Sequence, residues 1–101
     1  MQPLTIQSPK KYTMEHQPKI LIVDDEIDVL DFNTYNLQKE GYETLTAKDG
    51  LEAIRLAKEF KPDLILLDVM MPNLDGFSAA EHFRSQKELK NALIVFLTAR
   101  N

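Results

Sequence analysis

A chain of 101 residues has room for one domain, and its 44% hydrophobic and 28% charged residues are the mix of a soluble globular protein. A net charge of -4 with no basic stripe argues against a nucleic-acid surface, and the absence of cysteine excludes disulfides, thiolate nucleophiles and thiolate metal sites. No apolar stretch approaches the roughly 20 residues needed to span a bilayer, and the N-terminus lacks the apolar core of a secretion signal. These features fit a reducing cytoplasm, which is the expected location.

Residues 1–17 are polar, carry Pro3 and Pro9 and show no sustained period, so they are expected to form a disordered leader, with Met14 a candidate natural start inside it. The folded domain is expected over 18–101. Lys19 to Val23 is a short branched run and reads as a strand. Residues 26–40 place Ile27, Leu30, Thr34 and Leu37 at helical spacing, with Gly41 ending that helix. A second strand follows at 42–47. Asp49 reads as a helix cap, and Glu52 three residues on completes a capping box. Leu51, Ile54, Leu56, Ala57 and Phe60 give the next helix its apolar side, and Lys61-Pro62 stops it. The third strand spans 63–68. A loop through Met71-Pro72-Asn73-Leu74-Asp75-Gly76 leads to a helix over 77–88 with Phe77, Ala80 and Phe83 on one face, and a fourth strand spans 92–97.

Strands alternating with helices demand a parallel sheet with right-handed crossovers, hence an α/β doubly wound fold. The first, third and fourth strands are continuous apolar runs, as strands covered on both faces must be, and the more polar second strand suits an edge.

Two of these runs stop abruptly in carboxylates. Ile20-Leu21-Ile22-Val23 ends at Asp24-Asp25-Glu26, and Leu64-Ile65-Leu66-Leu67 ends at Asp68. If the two strands are neighbours, Asp24, Asp25 and Asp68 converge at the carboxyl edge of the sheet, where doubly wound folds bind ligands. Crowded like charges repel, and each loses hydration. The arrangement makes sense if a hard cation neutralises it or if one acid does chemistry. Oxygen-only acidic ligands suit Mg²⁺, and a metal-bound aspartate can act as a nucleophile and form an aspartyl phosphate. Thr98, ending the fourth strand, can place a hydroxyl on the same edge.

Plainer readings stand beside these. Asp25 can cap the first helix, Asp75-Gly76 reads as a turn and helix start, and Thr98 alone reads as a strand residue. Asp68 has no such alternative, because an acid that ends a buried strand has no capping task. His16 and His82 read as solvated side chains, and Met70-Met71 as hydrophobes packing in the loop.

Ile20-Leu21-Ile22-Val23-Asp24-Asp25-Glu26, then Asp68-Val69-Met70-Met71-Pro72-Asn73-Leu74-Asp75-Gly76, then Phe96-Leu97-Thr98-Ala99, strongly resemble the receiver domain of bacterial response regulators (CheY-like, flavodoxin-like) over about residues 18–101. The stretch Tyr35-Asn36-Leu37-Gln38-Lys39-Glu40-Gly41-Tyr42 resembles receivers of the winged-helix OmpR/PhoB-type subfamily. The resemblance implies a strand order 2-1-3-4 and a signalling module, not an enzyme. It implies Asp68 as phosphoacceptor, Asp25 as direct Mg²⁺ ligand, Asp24 as the neighbouring acid that helps hold the metal, and the Met70 backbone carbonyl as completing the metal site. It implies Thr98 as the switch hydroxyl and Ala99 as the small residue that leaves it room. The phosphoryl donor would be a phosphohistidine on a sensor histidine kinase or a phosphotransfer protein.

A receiver resembling this one continues through a fourth helix, a fifth strand and a fifth helix, whereas this sequence ends just after the fourth strand. The chain is therefore expected to be a truncated receiver. The family's lysine at the end of strand five and the aromatic switch residue within that strand are missing, and Arg100 lies on the wrong segment to replace the lysine. Such a chain is expected to bind Mg²⁺ yet accept phosphoryl groups poorly. Leu93-Ile94-Val95-Phe96-Leu97 would be an uncovered edge, and each such side chain left wet forfeits roughly 1.5–3 kcal/mol. Self-association through that strand, or marginal folding, is the expectation.

Three other functions compete. One is a non-phosphorylated receiver-fold interaction module, disfavoured by the intact Asp24, Asp25, Asp68 and Thr98 set but favoured by the missing C-terminal third. Another is a Mg²⁺-dependent phosphohydrolase of the haloacid dehalogenase type, which wants a second Asp where this chain has Met70. The last is a flavin-binding domain, whose phosphate Asp24-Asp25-Glu26 would repel without a metal. No contact with nucleic acid or membrane is expected.

Overall fold

The structure, a computed structural model, describes residues 17–71 and 75–97. The leader, apart from its last residue, lies outside the described residues, as do Thr98, Ala99 and Arg100. The chain runs β1 (Lys19–Val23), α1 (Ile27–Lys39), β2 (Glu43–Ala47), α2 (Gly50–Phe60), β3 (Leu64–Asp68), α3 (Gly76–Ser85), a short 3₁₀ turn (Lys87–Leu89) and β4 (Leu93–Leu97).

All strand pairs are parallel, in the order β2-β1-β3-β4, which is the flavodoxin-like arrangement expected. The register aligns Val23 with Leu67 and Asp68 with Leu97, so β1, β3 and β4 finish along one edge. Successive strand residues face opposite sides of the sheet. Leu21, Val23, Ile65 and Leu67 pack on α2 and α3 through Ala53, Ala57, Ala79 and Phe83. Ile20 and Ile22 face the other way, against Leu30 and Leu37 of α1. This two-sided cover is why β1 and β3 read as unbroken apolar runs.

The caps follow the sequence with small changes. Gly41 takes a positive φ of 96° after α1. Asp49 caps α2 by accepting from the Glu52 amide at 2.9 Å, while the Glu52 carboxylate reaches back to the Lys48 amide, one residue before the cap. Lys61 ends α2 in the left-handed region at φ 53°, unusual for a side chain with a Cβ.

Three expectations need correction. The helix read over 77–88 stops at Ser85, and Lys87–Leu89 forms a separate turn. Phe83 and Leu89 are both buried, and residues six apart on a continuous helix would diverge by about 120°. A break lets both reach the core. Second, Ile27, Leu51 and Phe77 do not belong to the buried helix faces: they are 55%, 59% and 61% exposed. Each sits in the first turn of its helix but on the side turned away from the sheet, shared with exposed Asp31, with Arg55 and Lys58, and with Glu81 and Arg84 respectively, while Gly50, Ala53, Gly76 and Ala79 of the same turns are buried. Third, Met71 is buried but Met70 is exposed, so only one of the pair packs.

Among the described residues β4 is an edge strand, paired only with β3. Leu93, Val95 and Phe96 are exposed, as read from the sequence for an uncovered strand.

Candidate functional site

The site is built where β1 and β3 end. Burial of Val23 and Leu67 anchors both strand ends in the core, and the next residue on β1 and the last on β3 are acids. Asp24 and Asp68 are buried, and Asp25 is exposed. Each of the three offers a carboxylate oxygen lying within 4.8 Å of those of the other two.

Backbone amides fix the two buried carboxylates. The Glu26 N–H donates to Asp24 Oδ1 at 2.9 Å, and the Met70 N–H donates to Asp68 Oδ1 at 3.2 Å. Both are bonds to a residue two back, formed where the chain leaves its strand and turns. This corrects the capping role considered for Asp25. The cap position of α1 is Glu26, and its amide is held by Asp24. Asp75 does what its plain reading said: it caps α3 by accepting from the Ser78 amide at 2.8 Å.

Sequence reasoning missed the closeness of α3 to Asp68. Gly76 opens α3, and a Cβ added there would lie 2.6 Å from the Asp68 carbonyl oxygen and 2.7 Å from Val69 Cα. The Gly76 amide donates to the Val69 carbonyl oxygen at 3.2 Å. Only glycine lets the helix start against that peptide. The available signal was a glycine at the first helical position, where better helix formers are normally found.

The donor set suits a small hard cation. Every donor is a carboxylate oxygen, and two of the three acids are shielded from water. Adjacent oxygens sharing one Mg²⁺ at about 2.1 Å would stand about 3 Å apart, so closing from a 4.8 Å limit takes at most about 1.8 Å between a pair, within reach of side-chain rotation. Ionised carboxylates this close repel one another, and a cation bound among them would offset that repulsion. Thr98 lies outside the described residues, one position beyond Leu97, which is paired with Asp68.

The doubly wound parallel sheet with acids converging at the ends of β1 and β3 defines an α/β protein with an acidic site at its carboxyl edge, and comparison with known proteins gives the family. Residues 20–101 match the response regulator receiver domain. Over 83 residues the chain is 47% identical to the alkaline phosphatase synthesis transcriptional regulatory protein PhoP of Bacillus subtilis (strain 168), covering 82% of this chain and 34% of that protein. Among solved structures, chemotaxis protein CheY4 of Vibrio cholerae superimposes with a TM-score of 0.80 at 38% identity, covering 84% of this chain and 71% of that one. The response regulator TrrA of Thermotoga maritima, solved in complex with Mg²⁺–BeF, gives 0.76 at 39% identity, covering 84% and 72%. The chain belongs to the response regulator receiver domain family of two-component signalling. It spans about a third of the length of the PhoP protein it matches. No helix among the described residues is long and apolar enough to cross a membrane.

Proposed function

We propose that this receiver accepts a phosphoryl group on Asp68 from a phosphohistidine of a sensor kinase or phosphotransfer protein, with Mg²⁺ held by Asp24, Asp25, Asp68 and the Met70 carbonyl. The observation that carries this reading is the meeting of three carboxylates within 4.8 Å, two of them buried, at the ends of adjacent strands. The Mg²⁺-bound TrrA structure supports the choice of cation. Bound there, Mg²⁺ neutralises the acids and the incoming phosphoryl oxygens.

The residues of the chain do the rest. The Met70 amide holds one Asp68 oxygen, which orients the carboxylate for in-line approach to phosphorus. The Asp68 oxygen–phosphorus bond forms as the phosphorus–nitrogen bond of phosphohistidine breaks, and the departing electron pair returns to the imidazole. Thr98 is assigned the switch hydroxyl that meets the phosphoryl group, and Ala99 the space beside it. Asp68 is a stoichiometric acceptor in this reading, so the chain is a signalling module and not an enzyme. Exposed Ile27, Met70 and Phe77 stand on elements that begin or end at the acid edge, which favours a protein as donor.

The test is intact mass after incubation with Mg²⁺ and a small phosphodonor. A single phosphoryl adduct lost in Asp68→Asn supports the reading. Mg²⁺ binding without any adduct favours the alternatives, an inactive fragment or a non-phosphorylated interaction module. Continuous release of inorganic phosphate at enzyme-like rates would point to a hydrolase. The exposed apolar side chains of β4 support a second proposal, that copies of this 101-residue chain associate along that strand.

A further inference from the structure

Phe77 and Phe96 form an aromatic pair that the proposed chemistry does not use. Their ring centroids are 4.9 Å apart and their planes are inclined by 45°, a favourable tilted geometry. Both residues are exposed among the described residues, at 61% and 37%. The pair's position in the fold is specific. Phe77 directly follows Gly76, whose backbone lies against the Asp68–Val69 peptide and bonds the Val69 carbonyl. Phe96 aligns with Leu67 on β3, one position before the Asp68–Leu97 pair. The Val69 amide reaches the Leu97 carbonyl at 3.4 Å, a long bond that ties the same peptide only loosely to β4.

We propose that the Phe77–Phe96 pair is a latch between α3 and β4 that holds the Val69–Met70 backbone in place for metal binding. This rests on the Mg²⁺ site proposed above. With the latch closed, the first turn of α3 stays pressed on the Asp68–Val69 peptide, and the Met70 amide and carbonyl keep their places beside Asp68. With the latch open, the start of α3 lifts, and Val69 and Met70 move with it. Phe77 and Phe96 are thus positioning residues that touch neither metal nor phosphoryl group. The contact also joins the segment after Asp68 to the strand that leads into Thr98.

The latch is tested by a double-mutant cycle on Mg²⁺ affinity, using the full chain and MgCl₂ alone, followed by the amide resonances of Val69 and Met70. Phe77→Leu and Phe96→Leu each remove one ring but keep apolar volume, and each is expected to weaken Mg²⁺ binding roughly twofold to tenfold. The double variant should be no weaker than either single one, and Phe77→Tyr should restore wild-type affinity. Unchanged affinity in the single variants, or effects that multiply in the double, overturns the latch. Far-UV circular dichroism of each variant shows whether the fold is kept; if Phe77→Leu does not fold, Phe96→Leu against Phe77→Tyr carries the comparison. A wild-type chain that binds no Mg²⁺ overturns the metal-site reading itself, a result distinct from a failed latch.

Discussion

Asp68→Asn should stabilise the metal-free protein. Asp24 and Asp68 are both buried, and their carboxylate oxygens lie within 4.8 Å. At an effective dielectric of about 20, two unit charges at that separation repel by about 3.5 kcal/mol. Asp25 is exposed and screened by water, so it is left out of the sum. The amide of Asn keeps an oxygen to accept from Met70 N–H, but a neutral acceptor gives up about 1 kcal/mol relative to a carboxylate. The net gain is about 2 kcal/mol, and a domain of this size responds with a Tm rise of roughly 8–16 °C. Thermal melts by far-UV circular dichroism in EDTA measure it, a suitable probe for a chain without tryptophan. Adding Mg²⁺ should close or reverse the gap, because the wild type gains about 2.7 kcal/mol at a hundredfold excess over its dissociation constant. If metal-free Asp68→Asn melts at or below the wild-type temperature, the acids are not in mutual repulsion and the electrostatic argument for a cation fails.

Gly76→Ala forces a Cβ to within 2.6 Å of the Asp68 carbonyl oxygen, so the backbone must shift; a loss of about 1–3 kcal/mol in urea unfolding is expected, together with weaker Mg²⁺ binding. Lys61→Gly should gain about 0.5–1 kcal/mol in the same assay, because the residue caps α2 at φ 53° where a Cβ is strained. Size-exclusion chromatography with light scattering should show concentration-dependent association of the wild-type chain, reduced in Val95→Lys, which places a charge on the exposed side of β4; a monodisperse monomer that melts in one full cooperative transition would remove that proposal.

The framework was legible because its signals are local. Ile20 to Val23 and Leu64 to Leu67 are branched runs too short for helices, and parallel neighbours that end together must bring their terminal acids together. The polar second strand sits at the edge as its composition requires. What was not legible depends on how elements sit relative to one another. An apolar residue in a helix does not announce its face, so spacing could not tell that Ile27, Leu51 and Phe77 stand on the side shared with exposed Asp31, Arg55 and Glu81 and face water. The break after Ser85 follows from two buried residues, Phe83 and Leu89, whose burial is set by the sheet and not by their own segment. Gly76 read as turn chemistry, while its closest constraint is the Asp68–Val69 peptide, seven to eight residues away along the chain. The Asp24 bond to the Glu26 amide shows the same limit: acids adjacent in sequence divide their tasks by orientation, which composition does not carry.

The central claim is that the acid cluster makes Asp68 a phosphoryl acceptor in the presence of Mg²⁺. Intact mass spectrometry of the 101-residue chain, incubated with a small phosphodonor with and without Mg²⁺, tests it most directly. The account predicts one phosphoryl adduct that requires Mg²⁺ and disappears in Asp68→Asn. An adduct that persists in Asp68→Asn, or a wild-type chain that stays unmodified with Mg²⁺ bound, would contradict it.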